Sequence, residues 1–282
     1  MQSESYPSSH IIHAPQRYES AIVFASPHSG RFYPPEFLRR SRLDSHQIRA
    51  SEDAFVDQLF ADAPAQGAPL LVANYPRAYV DLNRSAADLD PALIMGVTGG
   101  APNMRVASGL GVIPRIVAAR QPIYTGKIPL PEAETRLQQV WHPYHTALRG
   151  LMQASSARHG HAILIDCHSM PPEASGPDAP DIVLGDKHGR AADGAVRAAV
   201  IAALQGEGFR VSVNTPFAGA YVTETYGRPA RGWHALQLEV SRGLYLDATT
   251  LTPHTGFAPL RARLSRVIAR LVGLGRDRIA AE

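Results

Sequence analysis

Cysteine is nearly absent from this chain of 282 residues: Cys167 is the sole one, so no intrachain disulfide can form, which fits a reducing compartment. Lysine is almost as scarce, since Lys127 and Lys187 are the only lysines among 28 basic residues. The remainder are arginine, which stays charged at any working pH and grips carboxylates with a planar fork, although high-GC coding bias accounts for most of the skew. The basic residues behind the net charge of +3 are dispersed and no run alternates them with aromatics, so nucleic-acid binding is not expected. Nor does any stretch approach the roughly 18 apolar residues of a membrane span. Residues 1–20 have neither a basic start nor an apolar run of signal-peptide length, so the expected location is cytoplasmic. Also missing are HExxH, GxSxG, a P-loop and a GxGxxG followed by a suitable acid.

What is present reads as an ordinary core, with 45% apolar and 19% charged residues and no repeat or low-complexity linker, so one domain over 1–282 is expected. "AIVFAS" (21–26) and "AILIDC" (162–167) are apolar on both faces and read as fully buried strands. "PLLVANY" (69–75), "YVDL" (79–82), "DIVLGD" (181–186), "FRVSVN" (209–214) and "HALQLEVS" (234–241) complete the strand set. Helical spacing recurs over 51–67, which opens on a capping Ser51 and puts Phe55, Leu59 and Ala63 on one stripe, and over 131–155, where Pro143 should introduce a kink. Two more helices are expected over 188–208 and 249–275. Strands alternating with helices indicate an α/β sandwich with a largely parallel or mixed sheet. The Gly-, Pro- and Asp-rich region 85–130 reads as an excursion from the core, of a length that commonly carries a lid or binding segment.

Ligands of open α/β sheets collect beyond the carboxyl ends of the strands, and "SPHSG" and "IDCHSMP" put His28 and His168 there. A catalytic zinc needs three protein ligands, and "SEDAF" offers Glu52 and Asp53, of which at most one should reach a metal. Acidic residues are also favoured in a first helical turn for the helix dipole alone. Glu239 interrupts the apolar alternation of Leu236, Leu238 and Val240, and a buried carboxylate must find a cation or face a cleft. His142 and His145 in "WHPYH" form a rival metal pair, with His145 the better candidate for a group facing substrate. Asp166 could orient a ligand, and Cys167 reads as packing with a nucleophilic role as the alternative.

As a set, "SPHSG", "EDAFVD", "YVDLNR", "GVIPR", "HPYH", "IDCHSMP", "DIVLGD" and "LQLEVSRGLY" resemble the N-formylglutamate amidohydrolase family, in matching order over residues 18–272. That family is similar to the zinc carboxypeptidase and aspartoacylase class, which implies a three-layer α/β/α sandwich around a mixed, mostly parallel sheet. It implies release of formate from N-formyl-L-glutamate in histidine degradation. It further implies one zinc ion held by His28, Asp53 and His168, with Glu52 as the fallback acidic ligand. Glu239 looks like the general base of carboxypeptidases, and Asn83 with Arg84 resembles the pair that holds a substrate carboxylate. Two positions depart from the pattern: Ala54 replaces an aromatic, and Arg31 stands three after His28 where carboxypeptidases carry a glutamate.

On this reading a zinc-activated water attacks the formyl carbon, Glu239 takes its proton and returns it to the leaving amine. A substrate with two carboxylates requires at least two cationic anchors, for which Arg84, Arg115 and Arg242 are the candidates, a structural ion pair being the alternative for each. Two other functions stay open: a related zinc amidohydrolase acting on other N-acyl amino acids or peptides, and a ligand-binding relative without activity. The expected partner is a small N-acyl amino acid, with neither nucleic acid nor membrane.

Overall fold

The computed structural model describes residues 6–98, 103–172 and 179–276. Its main sheet has seven strands: β1 (His10–His13), β2 (Ile22–Ser26), β3 (Leu70–Ala73), β6 (Ala162–Met170), β7 (Ile182–Gly185), β8 (Val211–Val213) and β9 (Trp233–Ser241). Two short pairs stand outside it, β4 (Ile94–Met95) with β5 (Ile128–Pro129), and β10 (Leu246–Asp247) with β11 (Thr252–Pro253). The sheet order is β1-β3-β2-β6-β9-β7-β8. Neighbours run parallel from β3 through β2 and β6 to β9, and β7 pairs β8 in parallel but β9 antiparallel. The sheet is therefore mixed and mostly parallel.

The helices are α1 (Pro35–Arg40), α2 (Val56–Leu59), α3 (Met104–Ala107), α4 (Leu130–Arg136), α5 (His142–His159), α6 (Gly194–Gln205), α7 (Tyr221–Tyr226) and α8 (Phe257–Arg276). α8 buries Leu260, Leu264, Val267, Ile268, Leu271 and Val272, a stripe at helical spacing, and turns its arginines outward. Each such side chain contributes about 1.5–3 kcal/mol when fully removed from water.

The chain groups into two compact units. One draws on Met1–Ile11, Pro27–Glu52 and Ala73–Ala147, and is rich in loops. Its interior is organised by Arg136, buried under the rings of Phe37, Tyr79 and Tyr124, bonded to the Tyr124 hydroxyl at 2.7 Å and paired with Glu132. The other draws on Ile12–Ser26, Asp53–Val72 and Leu148–Glu282, and holds the main apolar core, with Ile22 and Phe24 of β2, Ile163 and Ile165 of β6, and Leu236 and Leu238 of β9. Residues of α2, α6 and α8 close that core, while α7 packs on β6 and β9 without joining it.

Several elements differ from the expectation. "YVDL" is a turn rather than a strand: the Tyr79 N–H bonds the Pro76 carbonyl and closes the chain on itself. The helix expected over 51–67 reduces to one turn, α2, flanked by 3-10 turns over Gln47–Ser51 and Pro64–Gln66. Phe55 sits in the left-handed region at φ 64°, which no helix can pass, and Pro64 limits the other side. Pro143 lies in the first turn of α5, where a proline is tolerated. A π-helical turn over Leu137–Trp141 joins α4 to α5 just before it, a local adjustment that keeps the backbone bonded. α6 starts late, because Lys187 and His188 have positive φ, and α8 follows β11 instead of absorbing it. Of the predicted excursion 85–130, residues 99–102 lie outside the described residues; the rest forms loops, α3 and the β4/β5 pair.

Candidate metal centre

Pro27 ends β2, and His28 follows on a loop whose tightness depends on Gly30: a Cβ there would overlap the Tyr75 carbonyl. His28 Nε2 donates to Asp81 Oδ1 at 2.7 Å. The same oxygen accepts the Asn83 N–H at 2.9 Å, and Oδ2 accepts from Arg77 Nη2 at 2.8 Å. With Nε2 engaged, ligation of a metal by His28 would fall to Nδ1.

The register of β6 on β9 sorts chemistry from packing. Ile165 and Cys167 pair with Leu236 and Leu238 on the face of the apolar core, whereas Asp166 pairs with Gln237 and His168 with Glu239 on the other face. His168 lies inside β6, which runs three residues beyond the predicted end. Its Nε2 is 2.9 Å from Asp166 Oδ2, and its Nδ1 is 2.9 Å from Asp53 Oδ2. Burial by itself would lower the His168 pKa, but the charge and hydrogen bond of Asp166, the bond to Asp53 and the charge of Glu239 outweigh it and raise the value well above the ordinary one. Three carboxylates thus make a buried place for positive charge.

Ligand atoms of His28, Asp53 and His168, all three buried, lie within 4.8 Å of one another, and no other such group occurs among the described residues. Two imidazoles and one carboxylate form a donor set suited to a single divalent metal ion. Glu52 is not in the group: its carboxylate accepts from the Tyr33 hydroxyl at 2.6 Å and from Arg49 Nε at 3.0 Å. Burial, and then the Glu52 charge, push the Tyr33 phenol far up, so the proton stays on tyrosine.

The other predicted residues fall as follows. Glu239 is buried, and its Oε1 accepts from Gln237 Nε2 at 2.7 Å. Arg84 is 7% exposed and donates to the carbonyls of Leu110 (3.0 Å) and Asn83 (2.8 Å). Burial, reinforced by Arg77 and Arg105 and opposed by Asp81, lowers its pKa. His145 Nε2 donates to the Leu82 carbonyl at 2.9 Å, and its ring lies 4.1 Å from that of Trp141, whose Nε1 donates to the Arg84 carbonyl. His142 is exposed while His145 is buried, and neither belongs to the metal-ligand group. Arg115 is ion-paired with buried Asp90 at 2.9 Å, and Arg242 with Asp53 at 2.9 Å. Cys167 is buried in the apolar core. Asp81, Arg77, Ser169 and Gln237 received no role from the sequence; only the alternation that singles out Glu239 points also to Gln237. A cavity of about 680 Å³ lies elsewhere, lined among others by Arg17, Glu19, Pro64, Gly67 and Arg276, and holds none of the predicted site residues.

Comparison with known proteins places this arrangement. A family model described as N-formylglutamate amidohydrolase matches residues 20–246. The chain is 30% identical over 271 residues to an N-formylglutamate deformylase of Pseudomonas aeruginosa, covering 92% of this chain and 95% of that one. It is 29% identical over 269 residues to the Pseudomonas putida deformylase, covering 91% and 94%. The crystal structure of N-formylglutamate amidohydrolase from Ralstonia eutropha JMP134 superposes with a TM-score of 0.90 at 33% identity, covering 96% of this chain and 99% of that one. An Agrobacterium tumefaciens protein of 14% identity and TM-score 0.69, covering 96% and 97%, shares the fold.

Proposed function

The chain belongs to the N-formylglutamate amidohydrolase family, and on that premise we propose that it hydrolyses the formamide bond of N-formyl-L-glutamate, giving L-glutamate and formate. The grouping of His28, Asp53 and His168 carries the reading, because that donor set suits zinc and stands beside an ordered carboxylate. A zinc ion held by these three residues would bring a bound water's pKa toward about 7 and polarise the formyl carbonyl.

Glu239 is the proton carrier. Its strand register with His168 and the Gln237 amide bonded to its Oε1 support this role, in which the carboxylate accepts the proton of the attacking water. The same carboxyl then delivers that proton to the leaving amine nitrogen, which departs as a neutral amine rather than an amide anion. Asn83 and Arg84 are assigned to a substrate carboxylate. Burial lowers the Arg84 pKa against the charge of Asp81, with Arg77 and Arg105 adding to the lowering, and an arriving carboxylate would stabilise the charged guanidinium. Arg115 and Arg242 are already tied to Asp90 and Asp53, so Arg84 is the favoured anchor of the three, with His145 bracing its turn through Leu82.

Protein purified without chelator should contain close to one zinc per chain, and Glu239→Gln should keep that zinc while losing turnover. N-formyl-L-glutamate should be cleaved in preference to N-acetyl-L-glutamate and to dipeptides when the three are compared side by side. A metal-free preparation with full activity overturns the mechanism, and faster cleavage of the acetyl compound overturns the substrate.

A further inference from the structure

The acidic member of the metal group is held by more than its own backbone. Asp53 Oδ2 faces His168 Nδ1 at 2.9 Å, while Oδ1 accepts from Arg242 Nη2 at 2.9 Å and from the Ser169 hydroxyl at 3.3 Å. Arg242 Nε donates in turn to Ser169 Oγ at 3.0 Å, and Nη2 also approaches the Ser169 carbonyl at 3.4 Å. Arg242 opens the 3-10 turn directly after β9, Ser169 follows His168 on β6, and both adjoining strands end here. The guanidinium is 13% exposed and its fork spans one serine and one carboxylate oxygen, a planar geometry that a lysine cannot reproduce.

We propose that Arg242, acting with Ser169, is a positioning residue that commits Asp53 Oδ1 and so makes Asp53 a ligand through Oδ2 alone. This rests on the metal reading above and gives Arg242 a task other than gripping substrate. A carboxylate that binds through one oxygen leaves a coordination position open where a chelating one would fill it, and catalytic zinc sites depend on that opening. The arginine also draws charge from Asp53, which leaves more of the metal's charge for the groups it activates.

The test uses the intact protein with zinc, and with cobalt(II) as a spectroscopic substitute. Zinc affinity is measured by competition with a chromophoric chelator, and coordination number by the visible d–d bands of the cobalt form. Arg242→Gln should weaken zinc binding about 10–100-fold and shift the cobalt bands toward the weaker absorption of a higher-coordinate ion. Arg242→Lys should restore affinity in part but not the spectrum, and Ser169→Ala should show a smaller change in the same direction. Wild-type affinity and an unchanged cobalt spectrum in Arg242→Gln, with only KM raised, would overturn the proposal in favour of a substrate contact. Failure of the wild type itself to bind zinc would instead overturn the metal reading beneath it. Far-ultraviolet circular dichroism of each variant identifies unfolding, and Ser169→Ala, which removes one oxygen, decides the matter if Arg242→Gln does not fold.

Discussion

The 2.7 Å bond from His28 Nε2 to Asp81 Oδ1 fixes the rotation and the tautomer of the ring, and an ionised acceptor makes Nδ1 more basic toward a cation. Burial alone would raise the Asp81 pKa, but Arg77, His28 and Arg84 hold it well below the usual carboxylate range. Asp81→Asn keeps the shape and removes the charge, so zinc affinity should fall about 10–100-fold; chelator competition measures it, and an unchanged affinity would clear Asp81 of this role. Cys167 is the contrasting residue. Its thiol is fully buried, and burial followed by the Asp166 charge pushes its pKa well above the ordinary value, so it is no nucleophile at neutral pH. Cys167→Ala should leave kcat unchanged and cost roughly 1 kcal/mol of stability, read from urea midpoints; a lost kcat would reinstate the thiol.

At the scale of elements, the strands were legible because burial on both faces of a parallel sheet leaves unbroken apolar runs such as Ile22–Ser26 and Ala162–Cys167. The helix over 51–67 was not, since its spacing is helical and the left-handed Phe55 that breaks it near its start has no signature in the sequence. The same limit applies to the site. His28 stands out just past the end of a strand and His168 and Glu239 within strands, but the contact of His28 with Asp81 joins residues 53 apart and has no local signature. The opposite end of β9 carries its own consequence. His234 is buried, and burial, with His161 adding and Asp193 opposing, lowers its pKa; His159 is lowered likewise by burial, His161 and Arg158. A histidine whose folded pKa lies below its unfolded value of about 6.5 stabilises the fold above that value, and the contribution is lost as pH falls through the folded pKa. His168, whose pKa is raised, acts with the opposite sign, so the prediction is a difference: between pH 7.5 and 5 the urea midpoint of His234→Gln should fall less, or rise more, than that of the wild type. An identical slope in the variant would locate the acid sensitivity elsewhere.

For the molecule as a whole, the spacing of the candidate ligands would link metal binding to folding. Asp53 and His168 stand 115 residues apart, so an unfolded chain has no preformed group and should bind zinc weakly, whereas the native chain holds the donors within 4.8 Å. A ligand that prefers the native state stabilises it by about 2.7 kcal/mol at one hundred times its Kd. In a chain of this size that corresponds to a rise in Tm of roughly 5 °C. Stripping the protein with chelator should lower Tm by this amount and added zinc should restore it, as scanning calorimetry over a zinc series would record. Asp53→Asn breaks the donor set and should abolish the zinc-dependent part of Tm, while Glu239→Gln, which leaves the three donors in place, should retain it in full even with turnover gone. Equal Tm values with and without zinc in the wild type would mean that the three side chains do not hold the ion, and a zinc response lost in Glu239→Gln would make Glu239 a ligand instead of the proton carrier.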